Sequence, residues 1–153
     1  MSRLLVAGAD GLDACELEIK RGGLSYTVDT LDAIHAGHPD AELTFIVGAD
    51  AASTLGAWRE PARLLGLADL AVARRSGASE DHLRDTVARL ARRGGADRPA
   101  PLRFLDMPLV EISSSEARGR AARGQPIEDL VGPAVAAYIA EHRLYRPAAE
   151  AGG

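Results

Sequence analysis

The sequence predicts an α/β fold: a mostly parallel sheet with flanking helices. Three observations carry this. First, LTFIV (43–47), LAVA (70–73) and LRFLDM (102–107) have the length of strands. The first two are short apolar runs, as strands buried on both faces are. Second, the stretches between them, EPARLLGLA (60–68) and DHLRDTVARLARR (81–93), have helical spacing. Third, short strands alternating with helices are the pattern of βαβ units, whose strands run parallel.

The remaining elements follow in chain order. Residues 1–8 are apolar and suit the end of a helix, which Gly8 and Gly11 break. CELEIK (15–20) alternates Cys15, Leu17 and Ile19 with Glu16, Glu18 and Lys20, the pattern of a half-exposed strand, and RGG (21–23) is a turn. From Ser25 the spacing is helical, with Val28, Leu31 and Ile34 on one face. Residues 48–61 form a loop, and Pro61 suits the first turn of the next helix. In the 81–93 helix Leu83, Val87 and Leu90 face inward, and 94–101 is a loop. SSEARGRAARG (114–124) and PAVAAYIAEHR (133–143) are helices. Together 1–146 make one domain, and 147–153 is a disordered tail.

The bulk properties narrow the function. With 153 residues the chain is long enough for a real core. A net charge of −4 argues against a general nucleic-acid binder. The sole cysteine, Cys15, allows no internal disulfide. No apolar run is long enough to span a membrane, and the N-terminus is a poor signal peptide. The default expectation is a cytoplasmic protein.

In a parallel α/β sheet, ligands bind at the carboxyl ends of the strands. Gly48 and Asp50 stand just past the first buried strand, where backbone can approach a ligand and a carboxylate can bind a hydroxyl or amide. Trp58, the only tryptophan, could stack on a planar ring. A plainer reading has Trp58 capping the core and Asp50 capping a helix, and spacing alone favours it. Arg74 and Arg75 end the next strand, where one of them could neutralise phosphate; the alternative is a solvated pair. Ser113 to Glu116 has the spacing of a capping box. A helix start there offers free N–H groups to phosphate, with Arg118 one turn in. Without a ligand it is simply an N-cap.

These stretches stand in a recognisable order. RGGLSYTVDTL (21–31), FIVGADAASTLGAWREP (45–61), LAVARRSG (70–77), MPLVEISSSEAR (107–118) and LVGPAVAAYIAEHRLYR (130–146) together resemble bacterial nicotinate mononucleotide adenylyltransferases. The resemblance covers about Leu4 to Arg146. Where that family carries I-S-S-T-x-I-R, this chain has Ile112-Ser113-Ser114-Ser115-Glu116-Ala117-Arg118, which keeps the hydroxyl and loosens packing at the alanine. The resemblance implies a Rossmann-like fold and adenylyl transfer from ATP to nicotinate mononucleotide. Magnesium rides on the triphosphate, and no tightly bound cofactor or protein metal site is implied. The mononucleotide phosphate attacks the α-phosphate of ATP directly, so catalysis is positioning and charge stabilisation. By motif, Tyr26 and Thr27 would line the mononucleotide pocket with Gly48, Asp50 and Arg75, and Trp58 would stack on the pyridine ring. Ile112, Ser113, Ser114 and Arg118 would hold ATP.

His35-Ala36-Gly37-His38 spells H-x-G-H, which the family also uses. There the motif follows the first strand and opens a helix. Here a helix precedes it, and Gly37 and Pro39 suit that helix's end. The C-terminal end of a helix repels phosphate. IHAGHP therefore reads as a helix stop, and His35 and His38 as a decoy. On this reading the first strand–helix unit, roughly 30 residues with the family's own H-x-G-H, is missing. The chain alone would then turn over weakly at best. The neighbouring strand would also expose an edge that invites self-pairing, making a homo-oligomer one expected partner. Two alternatives stand beside the enzyme: a non-catalytic module that binds a mononucleotide or a protein, and a sister adenylyltransferase with another substrate.

Overall fold

The structure, a computed structural model, describes residues 1–74, 80–94, 101–108 and 112–146. In chain order the helices and strands are α1 (Ser2–Val6), α2 (Leu17–Arg21), α3 (Thr27–Gly37), β1 (Thr44–Gly48), α4 (Ala49–Ser53), α5 (Pro61–Leu67), β2 (Asp69–Arg74), α6 (Glu80–Arg93), β3 (Leu102–Asp106), α7 (Ser114–Ala122), α8 (Glu128–Val131) and α9 (Pro133–Glu141). One 3-10 turn, Leu55–Ala57, lies between α4 and α5. The chain forms two compact units. One is Leu17–Leu109, and the other joins Met1–Glu16 to Val110–Gly153. The 147–153 tail lies outside the described residues.

The first of these units holds the sheet, three parallel strands in the order β1-β2-β3. Gly48 sits opposite Ala73, and Ala73 opposite Leu105, so the three carboxyl ends share one row. β2 is central, and Leu70, Ala71 and Val72 are all buried, as its continuous apolar run predicts. The core gathers Val28 and Leu31 of α3, Leu64 and Leu65 of α5, and Leu83, Val87 and Leu90 of α6 around β2. In α3 and α6 a spacing of three and four residues puts each set on one helix face, while Leu64 and Leu65 are neighbours on α5. Pro61 occupies the first turn of α5, where its missing N–H costs nothing.

Three local expectations are corrected. β1 is not buried on both faces: exposure alternates along it, and Ile46 is 61% exposed. It is the outermost strand on its side of the described sheet, and only Phe45 and Val47 pack against the core. CELEIK does not form a strand, because Leu17–Arg21 is one helical turn. A strand needs a neighbour for its N–H and C=O groups, and no described strand pairs with this segment. A turn of Leu, Glu, Lys and Arg meets that need locally, since these residues suit helices. Thr30 then fastens it, its hydroxyl donating to Glu18 Oε1 (2.6 Å) and accepting from Arg21 (3.1 Å). Finally, 48–61 is not all loop, since it contains α4 and the 3-10 turn.

In the other unit, Ile127, Val135, Ala136 and Ile139 bury against Ala121, with Val131 and Leu144 at the margin. Gly132 takes φ 79°, a left-handed conformation that ends α8 and opens α9 at Pro133. α1 packs on α9, and Arg3 pairs with Glu16 at 2.8 Å.

Candidate functional site

Tyr26, Thr27 and Trp58 come together. With Ser25, Ala57 and Arg59 they line one cavity of about 250 Å³. That is room for a single ring and its substituents, below the ~300–1,000 Å³ of drug-sized sites. One wall is the entry to α3, where Tyr26 is the N-cap residue in extended conformation and no side chain caps the helix. The other wall is the segment leaving the 3-10 turn. Trp58 is half-buried there. Its ring meets Phe45 edge-on, with centroids 6.0 Å apart, and its Nε1 donates to Thr54 Oγ1 at 3.1 Å. Trp58 therefore packs on the core and also lines the cavity.

Arg59, not expected from the sequence, spans the cavity. Its guanidinium carbon lies 4.7 Å from the Tyr26 ring centroid. Its NH1 meets Asp29 Oδ2 at 3.2 Å, and its Nε lies 3.6 Å from Glu60 Oε1. Glu60 also pairs with Arg63 (3.3 Å), which reaches Asp32 at 2.5 Å. Hydrogen bonding to Glu60, then the charge of Asp32, raises the Arg63 guanidinium above its ordinary value, so it stays charged at any working pH. Arg59 pairs with Asp29 across 30 residues, and no local pattern signals such a contact.

The other sequence-derived residues lie elsewhere. Gly48 ends β1 and precedes α4, with open space where a side chain would stand. Asp50 is exposed in the first turn of α4 and forms no side-chain cap there, contrary to the plainer reading. Neither lines the aromatic cavity. Arg75 lies outside the described residues. In the other unit Ser113 caps α7, its Oγ accepting from the Glu116 N–H at 3.0 Å. The Glu116 carboxylate turns to Arg120 (2.6 Å), and no bond from it to the Ser113 N–H is present, so the capping box is half formed. Ile112, Ser114 and Arg118 are exposed, and Arg118 donates to Ser115 Oγ at 3.3 Å.

His35 and His38 are exposed at the C-terminal end of α3. His38 is the C-cap residue at φ −139°, and its N–H closes on the carbonyls of Ile34 and His35. Gly37 stays helical instead of taking the expected left-handed cap. Pro39 accounts for the stop, because the residue before a proline is pushed out of the helical region. Among the described residues no three His, Cys, Asp or Glu side chains form a metal-holding group.

Comparison with known proteins places this architecture. The probable nicotinate-nucleotide adenylyltransferase of Symbiobacterium thermophilum is 38% identical over 145 residues, covering 95% of this chain and 68% of the relative. That of Bordetella avium is 40% identical over 148 residues, covering 97% and 71%. That of Pelobacter propionicus is 39% identical over 158 residues, covering 95% and 72%. The chain belongs to the nicotinate-nucleotide adenylyltransferase family. No family model matches the chain.

Nicotinate-nucleotide adenylyltransferases are transferases, so membership does not favour a non-catalytic module. Solved structures of nicotinic acid mononucleotide adenylyltransferase from Plasmodium falciparum, complexed with APC and with NaAD, share the fold. Their TM-scores are 0.56 and 0.55 at 21% and 22% identity. This chain spans 60% and 58% of their lengths, and they cover 81% and 80% of it. The Rossmann-like α/β expectation is thus met.

Proposed function

We propose that this protein transfers the adenylyl group of ATP to nicotinate mononucleotide, forming nicotinate adenine dinucleotide on the way to NAD. The observation that carries the reading is the cavity of Tyr26, Thr27 and Trp58 in a chain that belongs to this family. The cavity has room for a pyridine ring, which would stack on Trp58, with Tyr26 lining the same cavity. A mononucleotide oxygen attacks the α-phosphorus of ATP. The new P–O bond forms as the α–β bridge breaks, and pyrophosphate leaves with magnesium, which arrives as part of the substrate. No covalent enzyme intermediate is required.

Asp50 is assigned to the mononucleotide, with Gly48 giving it close access to backbone. Arg75 is assigned to its phosphate. Ile112, Ser113, Ser114 and Arg118 are assigned to ATP, with Arg118 as the charged group on the triphosphate and the start of α7 supplying N–H donors. No described helix is long and apolar enough to cross a membrane. The cytoplasm is the proposed location.

The test titrates nicotinate mononucleotide against Trp58 fluorescence and follows pyrophosphate and dinucleotide formation with magnesium ATP. Saturable quenching with product formation supports the reading. Neither quenching nor product refutes it.

A further inference from the structure

We infer that Arg59 is a positioning residue of the aromatic cavity. It fixes Tyr26 and the first turn of α3 against the Trp58 segment, so the slot for the pyridine ring stands open before substrate arrives. The inference rests on the substrate reading above and adds a residue to it.

The cavity walls come from 25–27 and 57–59, two stretches far apart in sequence. Arg59 joins them twice. Its flat guanidinium covers the Tyr26 ring at 4.7 Å, and its NH1 holds Asp29, two residues into α3, at 3.2 Å. The next residue strengthens the case. Glu60 adopts φ 46° and ψ 53°, a left-handed conformation that costs a side-chain-bearing residue energy, and it does so directly before Pro61. Such a corner persists only where its surroundings over-determine it. Here Glu60 is gripped on both sides, by Arg59 at 3.6 Å and Arg63 at 3.3 Å, while its carbonyl accepts from the Leu64 N–H at 3.0 Å. Arg63 continues to Asp32, one turn beyond Asp29 on α3. The charges alternate Asp29–Arg59–Glu60–Arg63–Asp32, and the chain of pairs closes through α3.

Each exposed pair is weak by itself. A closed circuit differs, because every pair holds its neighbours in place and the ordering is done before the ligand binds. Two of the three ring and fork contacts of Arg59 are to carboxylates, so its charge is already matched. Its role is to shape the cavity rather than to attract an anion.

The test measures nicotinate mononucleotide binding by Trp58 quenching, and steady-state kinetics with magnesium ATP. The variants are Arg59→Ala, Arg59→Lys, Asp29→Asn and the double Arg59→Ala/Asp29→Asn. Arg59→Ala should weaken mononucleotide binding about tenfold, and Asp29→Asn about threefold. The double variant should match Arg59→Ala within about twofold, because both act through one contact. Arg59→Lys keeps the charge but not the flat stack on Tyr26, and should fall between wild type and alanine. The rate at saturating mononucleotide and the KM for ATP should each stay within about twofold of wild type. Urea midpoints confirm that each variant is folded. If the wild type binds mononucleotide and Arg59→Ala binds within about twofold of it, the inference fails while the substrate reading stands. Additive Arg59 and Asp29 effects, or a fall in the saturated rate at unchanged KM, also overturn it. A wild type that neither binds nor turns over mononucleotide removes the substrate reading, and this inference with it.

Discussion

Replacing Trp58 separates its two duties. On the core side the indole meets Phe45 edge-on at 6.0 Å and donates to Thr54 at 3.1 Å. Truncating a fully buried Trp or Phe to alanine costs about 3–5 kcal/mol. Trp58 is half-buried, so about 2 kcal/mol is expected for packing. An aromatic pair contributes about 0.5–1.5 kcal/mol, much of it already within that figure. Trp58→Ala should therefore lower stability by about 2–3 kcal/mol in urea unfolding. Trp58→Phe keeps a ring against Phe45 and loses the Thr54 bond, costing about 1 kcal/mol. On the cavity side, a base stacked on an aromatic residue contributes about 1–3 kcal/mol. Trp58→Ala should then weaken nicotinate mononucleotide roughly 5- to 150-fold, and Trp58→Phe less than about fivefold. Both variants lack the fluorophore, so calorimetry supplies the Kd. If both lose the stated stability yet bind within about twofold of wild type, Trp58 serves the core alone and the stacking argument is wrong.

Other predictions are smaller. Leu64 is fully buried beneath the sheet, so Leu64→Ala should cost about 3–4 kcal/mol of unfolding free energy in urea; a loss under about 1 kcal/mol would show that the core is misassigned. Ser113→Ala removes the cap bond to the Glu116 N–H and should cost about 1 kcal/mol, a fall of about 2–4 °C in Tm. An unchanged Tm would mean another group takes over the cap. Glu60→Gly and Glu60→Ala both lose the ion pairs, but only glycine relieves the positive φ. The glycine variant should be the more stable of the two by about 1 kcal/mol, and equal midpoints would remove the strain argument.

What was legible in the sequence depended on burial. β2 and α6 carry unambiguous patterns because β2 is covered on both sides and α6 on one. β1 has nearly as apolar a run, but a run of residues does not say whether a second layer covers it, and Ile46 is left outside. α4 is five residues rich in alanine, too short to show a period. At the site, Trp58 was legible from its residue type and Tyr26 only through the family resemblance, and the fold brings them into one cavity. Asp50 and Gly48 were read at a strand end by position and grouped with Tyr26 and Trp58 by the resemblance, yet they line no part of this cavity. Arg59 was invisible because its meaning lies in Tyr26 and Asp29, and a contact across that much chain leaves no mark on local spacing. Ser113 was legible because a cap is a local event.

The short helix α2 has a consequence for how this protein behaves when concentrated. Aliphatic and charged residues mix along it. Ile19 is 80% exposed, and Leu24, just beyond the helix, is 78% exposed. Extended, the segment would offer Leu17 and Ile19 on one side of an unpaired ribbon, which is what another chain's edge seeks. Glu18, Lys20 and Arg21 interrupt that run, so they act as gatekeepers against association. The Thr30 hydroxyl, bonded to both Glu18 and Arg21, keeps the ribbon coiled. Colloidal behaviour is thus tied to one hydroxyl on α3 rather than to the exposed apolar side chains themselves.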